Sequence, residues 1–398
     1  MTCMYSVNNQ TNGNRRKVCF VITSFIHYSR NMLVLEALHR RDDVELHIIV
    51  GGAALLPKYV SRSANILLAL KEKRYENVYE MYFNLEGNVP VTKAKTAGLG
   101  VIEFASLFER IDPDIVIARA DRFEVLSAAM AAAMMNIPIA HIEGGDVSGT
   151  IDESVRHAIT KLAHMHFTTN EAAKGRVLRM GEDPRYVFNF GSPDIEVVTH
   201  FKDVPINHEV HKTGSGTVFD VKNEYVIVMY HPVTSEVGKL GGYTKELLSA
   251  VHRSGLQAIW FWPNFDAGAD EIARELRVFN DRVDDHRIHF MRYLAPQDFI
   301  GLLAKAKCVI GNSSAGLKEC SYLGVPVVNV GSRQHKRLQA ENVRHSGNGQ
   351  EELLRAIQEQ VRVGAYTSSH LYAGEKTSER IAHQVATAEL YTQKNFVD

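Results

Sequence analysis

Short apolar runs alternate with segments of helical spacing along almost the whole chain. Residues 18–23, 44–50, 114–118, 137–140 and 166–169 read as strands. Between them, 30–39, 64–73, 93–110 and 123–135 carry apolar residues at helical spacing. So does the segment that starts near Thr150, with Val155, Ile159 and Leu162 on one face. A second series follows, with strands at 225–229, 257–262, 289–292, 308–311 and 326–330. Its helices are at 244–253, 269–279, 296–305 and 315–323. Strands that each lead into a helix pair in parallel through right-handed crossovers. Residues 200–221, polar and holding Pro205, Gly214 and Gly216, separate the two series, as a tether or as an ordered crossover. The pattern predicts an α/β protein with two Rossmann-like domains facing across a cleft. Residues 1–16 form a flexible tail, 17–205 an N-terminal Rossmann-like domain and 206–375 a C-terminal one. A C-terminal helix in 376–398 packs back on the N-terminal domain.

Candidate chemistry gathers at predicted strand ends, where open parallel sheets bind their ligands. The stretch HIEGGDVSGTIDESVRHAITKLAHMH, 141–166, follows one strand and places Glu143, Asp146 and Asp152 among Gly144, Gly145 and Gly149. Thr150 and Glu153 have the spacing of a capping box, so a helix begins there. One acid in a glycine-rich loop is more often a cap than a catalyst. Asp121, followed by Arg122, stands at the end of the neighbouring strand and makes a catalytic cleft the better reading. In the second half, His231, Asn264, Ser313, Ser314 and Arg333 all follow strands, and Glu319 lies on the helix after Ser314. A helix start with hydroxyls, joined by an arginine, suits a diphosphate. Glu319 suits ribose hydroxyls.

Composition narrows the classes. The 398 residues carry 45 Lys and Arg against 46 Asp and Glu, a net charge of −1 with no basic block, so nucleic acid is not an expected partner. Of the four cysteines, Cys19 and Cys308 lie in apolar runs and read as buried thiols rather than disulfide or metal ligands. No His/Cys spacing matches a metal site, and no metal or cofactor is expected. Arg15-Arg16-Lys17 before an apolar run imitates a signal peptide, yet no small-residue cleavage site follows. It reads as a first strand. No run is long enough to span a bilayer, so no membrane association and a cytoplasmic location are expected.

Taken together, the 141–166 stretch, HPVT at 231–234, PNFDAG at 263–268, GNSSAG at 311–316 and GSRQ at 331–334 resemble the hydrolysing UDP-N-acetylglucosamine 2-epimerase family, sugar-nucleotide 2-epimerases of GT-B-like fold. The resemblance is clearest over 114–334. It implies catalytic acids at Asp121, Glu143 and Asp152, and substrate binding by Arg122, His231, Asn264, Ser313, Ser314, Glu319 and Arg333. It also implies a nucleotide-sugar substrate, no cofactor, and a homo-oligomer, dimer or tetramer. The implied reaction converts UDP-N-acetylglucosamine, or a related UDP- or GDP-linked acetamido sugar, through a glycal to a free N-acetylmannosamine-type sugar, for sialic-acid-like nonulosonate synthesis. The alternatives are a non-hydrolysing 2-epimerase and a GT-B glycosyltransferase; clustered acids argue against a mere nucleotide-sugar-binding regulator. The first-strand loop departs from the family pattern. Where relatives have Arg-Ala-Asp or Arg-Ala-Glu, this chain has Thr23-Ser24-Phe25-Ile26-His27-Tyr28-Ser29-Arg30, with His27, Ser29 and Arg30 as the substitutes. Arg274 and Arg277 match a feedback-inhibitor contact of animal relatives, although a solvated helix face is the plainer reading.

Overall fold

In the computed structural model, which describes residues 15–56, 65–87, 89–207, 210, 213–264, 266–284 and 287–398, the apolar runs assemble into two seven-stranded sheets. The first holds β1 (Arg16–Ile22), β2 (Val44–Gly51), β3 (Asn77–Met81), β4 (Ile115–Arg119), β5 (Ile139–Ile142), β6 (Met165–Thr168) and β7 (Val187–Asn189). Their order is β3-β2-β1-β4-β5-β6-β7, with every pair parallel. Helices cover both faces, so strands such as β1 are apolar at consecutive positions, with Val18 through Ile22 fully buried. The helices are α1 (Phe25–His39), α2 (Ile66–Glu72), α3 (Pro90–Ile111), α4 (Phe123–Met134), α5 (Ile151–Leu162), α6 (Glu171–Arg179) and α7 (Pro193–Phe201).

The second sheet holds β8 (Ser215–Gly216), β9 (Tyr225–Met229), β10 (Gln257–Phe261), β11 (Ile288–Met291), β12 (Val309–Gly311), β13 (Val327–Val330) and β14 (Val343–Ser346). Its order is β14-β13-β12-β9-β10-β11-β8, parallel except for β8 against β11. Around it lie α8 (Leu240–Arg253), α9 (Ala269–Arg282), α10 (Pro296–Lys305), α11 (Ser314–Leu317), α12 (Glu319–Leu323) and α13 (Gln350–Val363). The α/β class and the two Rossmann-like halves are as the sequence pattern predicts. Strand order reverses between β1 and β4 in one half and between β9 and β12 in the other. Loops leaving those strands open into a crevice at each reversal, and the two crevices face each other.

The chain then returns. In α14 (Thr377–Thr387), Ile381, Ala382, Val385 and Ala386 join the apolar cluster of Phe20, Ile22, Val34 and Leu38. Arg16 donates to the Val385 and Ala388 carbonyls at 2.8 and 2.9 Å.

Several boundaries differ from the sequence reading. Helix α1 starts at Phe25, not near residue 30, because the Ser24 hydroxyl accepts from the His27 N–H. This draws His27, Tyr28 and Ser29 into its first turns. The helix read over 315–323 is two short helices, broken at Lys318. Within 200–221 the described residues form a crossover, with Ile206, Val210, Phe219 and Val221 buried in the second core. The tail read over 1–16 falls outside the described residues as far as 14, as does Cys3, and β1 already begins at Arg16. Cys19, Cys308 and Cys320 are buried free thiols. Among the described residues no helix is long and apolar enough to cross a membrane.

Candidate active site

Two adjoining cavities lie between the halves, at the crevices described above. The first, about 150 Å3, is lined from the N-terminal half by Asp121, Arg122, Glu143 and Asp152, and from the other by His231, Asn264, Ser313, Ser314 and Arg333. The second, about 110 Å3, shares His231, Asn264 and Ser313 and adds Glu319 and an apolar set including Phe261, Leu294 and Phe299. Every substrate or catalytic candidate taken from the sequence therefore lines one continuous cleft.

Backbone geometry aims the acids. Ala120 and Glu143, at the ends of β4 and β5, hold left-handed conformations with φ of 61° and 71°, uncommon for side chains with a Cβ. Strand-like hydrogen bonds keep both in place, from Ala120 N–H to Ile142 and from Glu143 N–H to Phe167, each 2.9 Å. Gly145, at φ 78°, lies so close to the Ala173 carbonyl that a Cβ would come within 2.3 Å of it. The capping box at Thr150 is only half made. Thr150 accepts from the Asp152 N–H at 3.3 Å, but Glu153 reaches the Ser148 N–H at 2.6 Å instead of its own cap.

The three acids sit in unlike surroundings. Asp121 is ion-paired with Arg156. Burial raises its pKa, but Arg156, and then Arg337, outweigh burial and hold it low. Glu143 is clamped between Arg119, 2.9 Å from one oxygen, and Lys318 on the other. Burial opposes its charge, and Arg119 and Lys318 override that, leaving its carboxyl well below the usual range. Asp152 goes the other way. Burial, with the nearby charges of Asp121 and Asp266, pushes it up to about 6, against Arg333 at 4.0 Å and a hydrogen bond from Thr150.

The remaining candidates form a polar scaffold. The Asn312 side chain accepts from the His231 N–H at 2.7 Å and donates to the His231 carbonyl at 2.8 Å. Arg333 and Gln334 donate to the Asn312 carbonyl at 3.2 and 2.8 Å. His231 Nδ1 accepts from the Asn264 N–H at 3.3 Å, so the ring carries its proton on Nε2. Burial, and then Arg333, lower its pKa to about 3, so the ring is neutral. Ser313 caps α11, and the Ser314 hydroxyl accepts from Arg30 at 3.4 Å. Arg122 forks onto buried Glu124 at 3.0 and 2.7 Å. Arg274 and Arg277 line neither cavity; Arg274 donates to Glu275 and Arg277 lies over the Trp262 ring.

The chain's own relatives bear on this cleft. A family model described as UDP-N-acetylglucosamine 2-epimerase matches residues 36–386. The chain belongs to that family. A Legionella pneumophila protein named UDP-N,N'-diacetylbacillosamine 2-epimerase (hydrolyzing) is 32% identical over 95% of this chain and 97% of its own length. A Neisseria meningitidis UDP-N-acetylglucosamine 2-epimerase is 31% identical over 92% and 94%. The structure of the Methanocaldococcus jannaschii UDP-GlcNAc 2-epimerase in complex with UDP-GlcNAc and UDP superposes with a TM-score of 0.74 at 16% identity, over 93% and 99% of the two chains. The fold is therefore the GT-B-like fold of these enzymes.

In this epimerase, three charged side chains that sequence reasoning passed over, Arg119, Asp194 and Lys318, complete the site. Lys318 Nζ touches both Glu143 and Asp194, the latter at 2.7 Å, and Arg119 Nη2 bridges the same carboxylates at 2.9 and 2.6 Å. The result is a closed ring of two acids and two bases, with Lys318 from one half and its partners from the other. Arg30, the proposed substitute in the first loop, bonds Glu319 at 2.6 Å and lies 3.5 Å from Asp194. One Glu319 oxygen remains buried without a partner, as a ribose hydroxyl acceptor would. The available signal was a charge inside an apolar run: Arg119 ending IVIAR, and Lys318 within AGLKEC. Among the described residues, no group of three His, Cys, Asp or Glu side chains is arranged to hold a metal ion.

Proposed function

We propose that this epimerase is of the hydrolysing type and acts on a UDP- or GDP-linked 2-acetamido sugar. The observation that carries the reading is one acid of raised pKa, Asp152, beside two held ionised, in a cleft whose far wall is a diphosphate scaffold. Acids with opposed environments divide proton work between them. Asp152, poised near neutrality, exchanges the proton at sugar carbon 2. Asp121 is an anion in the resting site, helps hold the Asp152 pKa up and is the relay for the proton that returns to carbon 2. Glu143, fixed by two cations, orients rather than shuttles protons.

In the first half-reaction the carbon 2 proton passes to the enzyme while the bond from carbon 1 to the diphosphate oxygen breaks. A carbon 1–carbon 2 double bond forms, and nucleoside diphosphate leaves. An unactivated carbon acid yields its proton only when that leaving charge is stabilised, which falls to Arg333, the Ser313 and Ser314 hydroxyls and the His231 Nε2–H. Four-residue α11 adds little dipole, so the side chains carry the load. Water then adds at carbon 1 and its displaced proton is relayed through Asp121 to carbon 2 on the opposite face, Asp152 returns the abstracted proton to solvent, and the free 2-epimer is released. Two relatives of near-equal identity carry names with different sugars, so family membership leaves the sugar open. A free N-acetylmannosamine-type product would feed nonulosonate synthesis.

The test is turnover of UDP- and GDP-linked acetamido sugars in oxygen-18 and in deuterated water. The expected product is a free sugar with deuterium at carbon 2, oxygen-18 at carbon 1 and none in the nucleotide. Label in the phosphate, or an epimer still attached to nucleotide, would overturn the reading.

A further inference from the structure

The turn after β13 carries a polar group that the reaction scheme above leaves unused. Residues 332–337 fold back on themselves. The His335 N–H donates to the Ser332 carbonyl at 2.9 Å, and the Arg337 N–H to the Gln334 carbonyl at 3.1 Å. The same turn is pinned to the acid-bearing loop of the other half. There the Gly149 N–H donates to the Arg333 carbonyl at 2.9 Å, and Arg337 Nε to the Val147 carbonyl at 3.1 Å. Gln334, 2% exposed, lines the first cavity with Asp121 and Asp152 and takes no part in the second.

Its amide has one workable orientation. The Asn312 carbonyl can only accept, so the amide branch 2.8 Å from it is Nε2, and Oε1 is the other. Oε1 is buried and finds no partner among the described residues. A buried acceptor without a donor is costly, so this one points to a donor brought by a ligand. Glu319, whose buried oxygen is unpaired too, lines only the second cavity and faces the nucleoside. Ser148 Oγ, a third such oxygen, is a hydroxyl that can donate as well as accept. Gln334 Oε1 accepts only, and carries no charge. A diphosphate oxygen would be repelled by it, whereas an O–H would not. The carbonyl that fixes the amide immediately precedes Ser313 in the diphosphate scaffold, and the turn's backbone meets the loop leading to Asp152. The acceptor thus stands where sugar carbon 1 joins the diphosphate.

We propose that Gln334 Oε1 holds the water that adds to carbon 1 of the glycal. The inference rests on the hydrolysing reading and adds a residue to its second half. One O–H of the water donates to Oε1, and the other faces Asp121. As the water oxygen bonds to carbon 1, the electron pair of the double bond takes up, at carbon 2, the proton relayed through Asp121. The amide orients the water and receives no proton itself. A water held in place adds before the departed diphosphate returns to carbon 1, which would regenerate a nucleotide sugar.

The experiment uses the full chain in deuterated water, with the UDP- or GDP-linked acetamido sugar that the wild type cleaves. It compares free sugar formed with deuterium at carbon 2 of the recovered nucleotide sugar. In the wild type the held water intercepts the glycal, so substrate recovered at half conversion should carry little deuterium. Gln334→Met keeps the length of the side chain without its oxygen. Diphosphate then returns more often, and the ratio of exchange to hydrolysis should rise about 10-fold or more, the scale of misplacing a reacting group. Gln334→Asn, which draws the acceptor back, should raise it several-fold and serves if the methionine variant does not fold. Both signals come from the same active molecules, so a purely structural defect lowers them together. Equal loss of both in the two variants, or a raised KM with an unchanged ratio, would make Gln334 a scaffold or sugar contact and overturn the proposal. Heavy deuterium in substrate recovered from the wild type would overturn it without any variant. If the wild type releases no free sugar, the hydrolysing reading has failed and takes this inference with it.

Discussion

Asp121, Glu143 and Asp152 are the same functional group placed in three different fields, and those fields set what each can do. Asp152 has its pKa raised to about 6, so it is mostly protonated below that pH and able to accept a proton above it. If it acts as the base, kcat/KM should rise with pH through about 6. Replacing Asp266 by Asn removes an anion that lifts Asp152, and should move this limb to lower pH. Arg333→Ala removes a cation that lowers it, and should move the limb up while also weakening UDP or GDP. A pH profile insensitive to both changes would take proton transfer away from Asp152. Asp121→Asn and Asp152→Asn should each cut turnover by about 100-fold or more, the scale of a lost general acid or base, with little change in nucleotide affinity by calorimetry. Glu143→Gln differs from both. It should lose activity and also lower the urea midpoint, since Arg119 and Lys318 are then left with one carboxylate between them.

The break between α11 and α12 shows what an element can hide. Residues 315–323 have the composition of one helix, and an unbroken helix would carry Lys318 past the cleft. Lys318 instead takes φ −106° and ψ −73° and ends 2% exposed between Glu143 and Asp194. Lys318→Met should therefore cost about 3–5 kcal/mol of stability, the usual penalty for stranding buried charge, measured by urea unfolding. The same element explains what was legible in the sequence. Strand ends and glycine-rich loops announce themselves locally, so Glu143, His231 and Ser313 were within reach. The ring joins residues 119, 143, 194 and 318, and no local pattern links positions so far apart. The start of α1 was hidden for a related reason. Ser24 is a proper cap, but its third helical residue is His27, not the Glu or Gln that would mark a capping box.

At the scale of the whole molecule, the two halves touch through groups that tolerate no spacer. The Gly149 N–H donates to the Arg333 carbonyl at 2.9 Å, and a Cβ on Gly149 would stand 2.1 Å from the Ser332 carbonyl oxygen. Gly149→Ala should hold the halves apart, with a larger radius of gyration by small-angle scattering in saturating UDP and turnover down by about 10-fold or more, as misplacement of reacting groups by an ångström costs. An unchanged radius with unchanged turnover would mean that this contact does not govern closure. The return of α14 to the first half has a consequence in time rather than in space. Ribosomes make roughly 5–20 residues per second, so on the order of ten seconds or more separate α7 from α14. Through that interval the N-terminal sheet has all its strands but lacks the helix that packs Ile381 and Val385 over Phe20 and Leu38. The half made first is thus completed after the half made second, and its uncovered stripe is where a nascent-chain chaperone would bind.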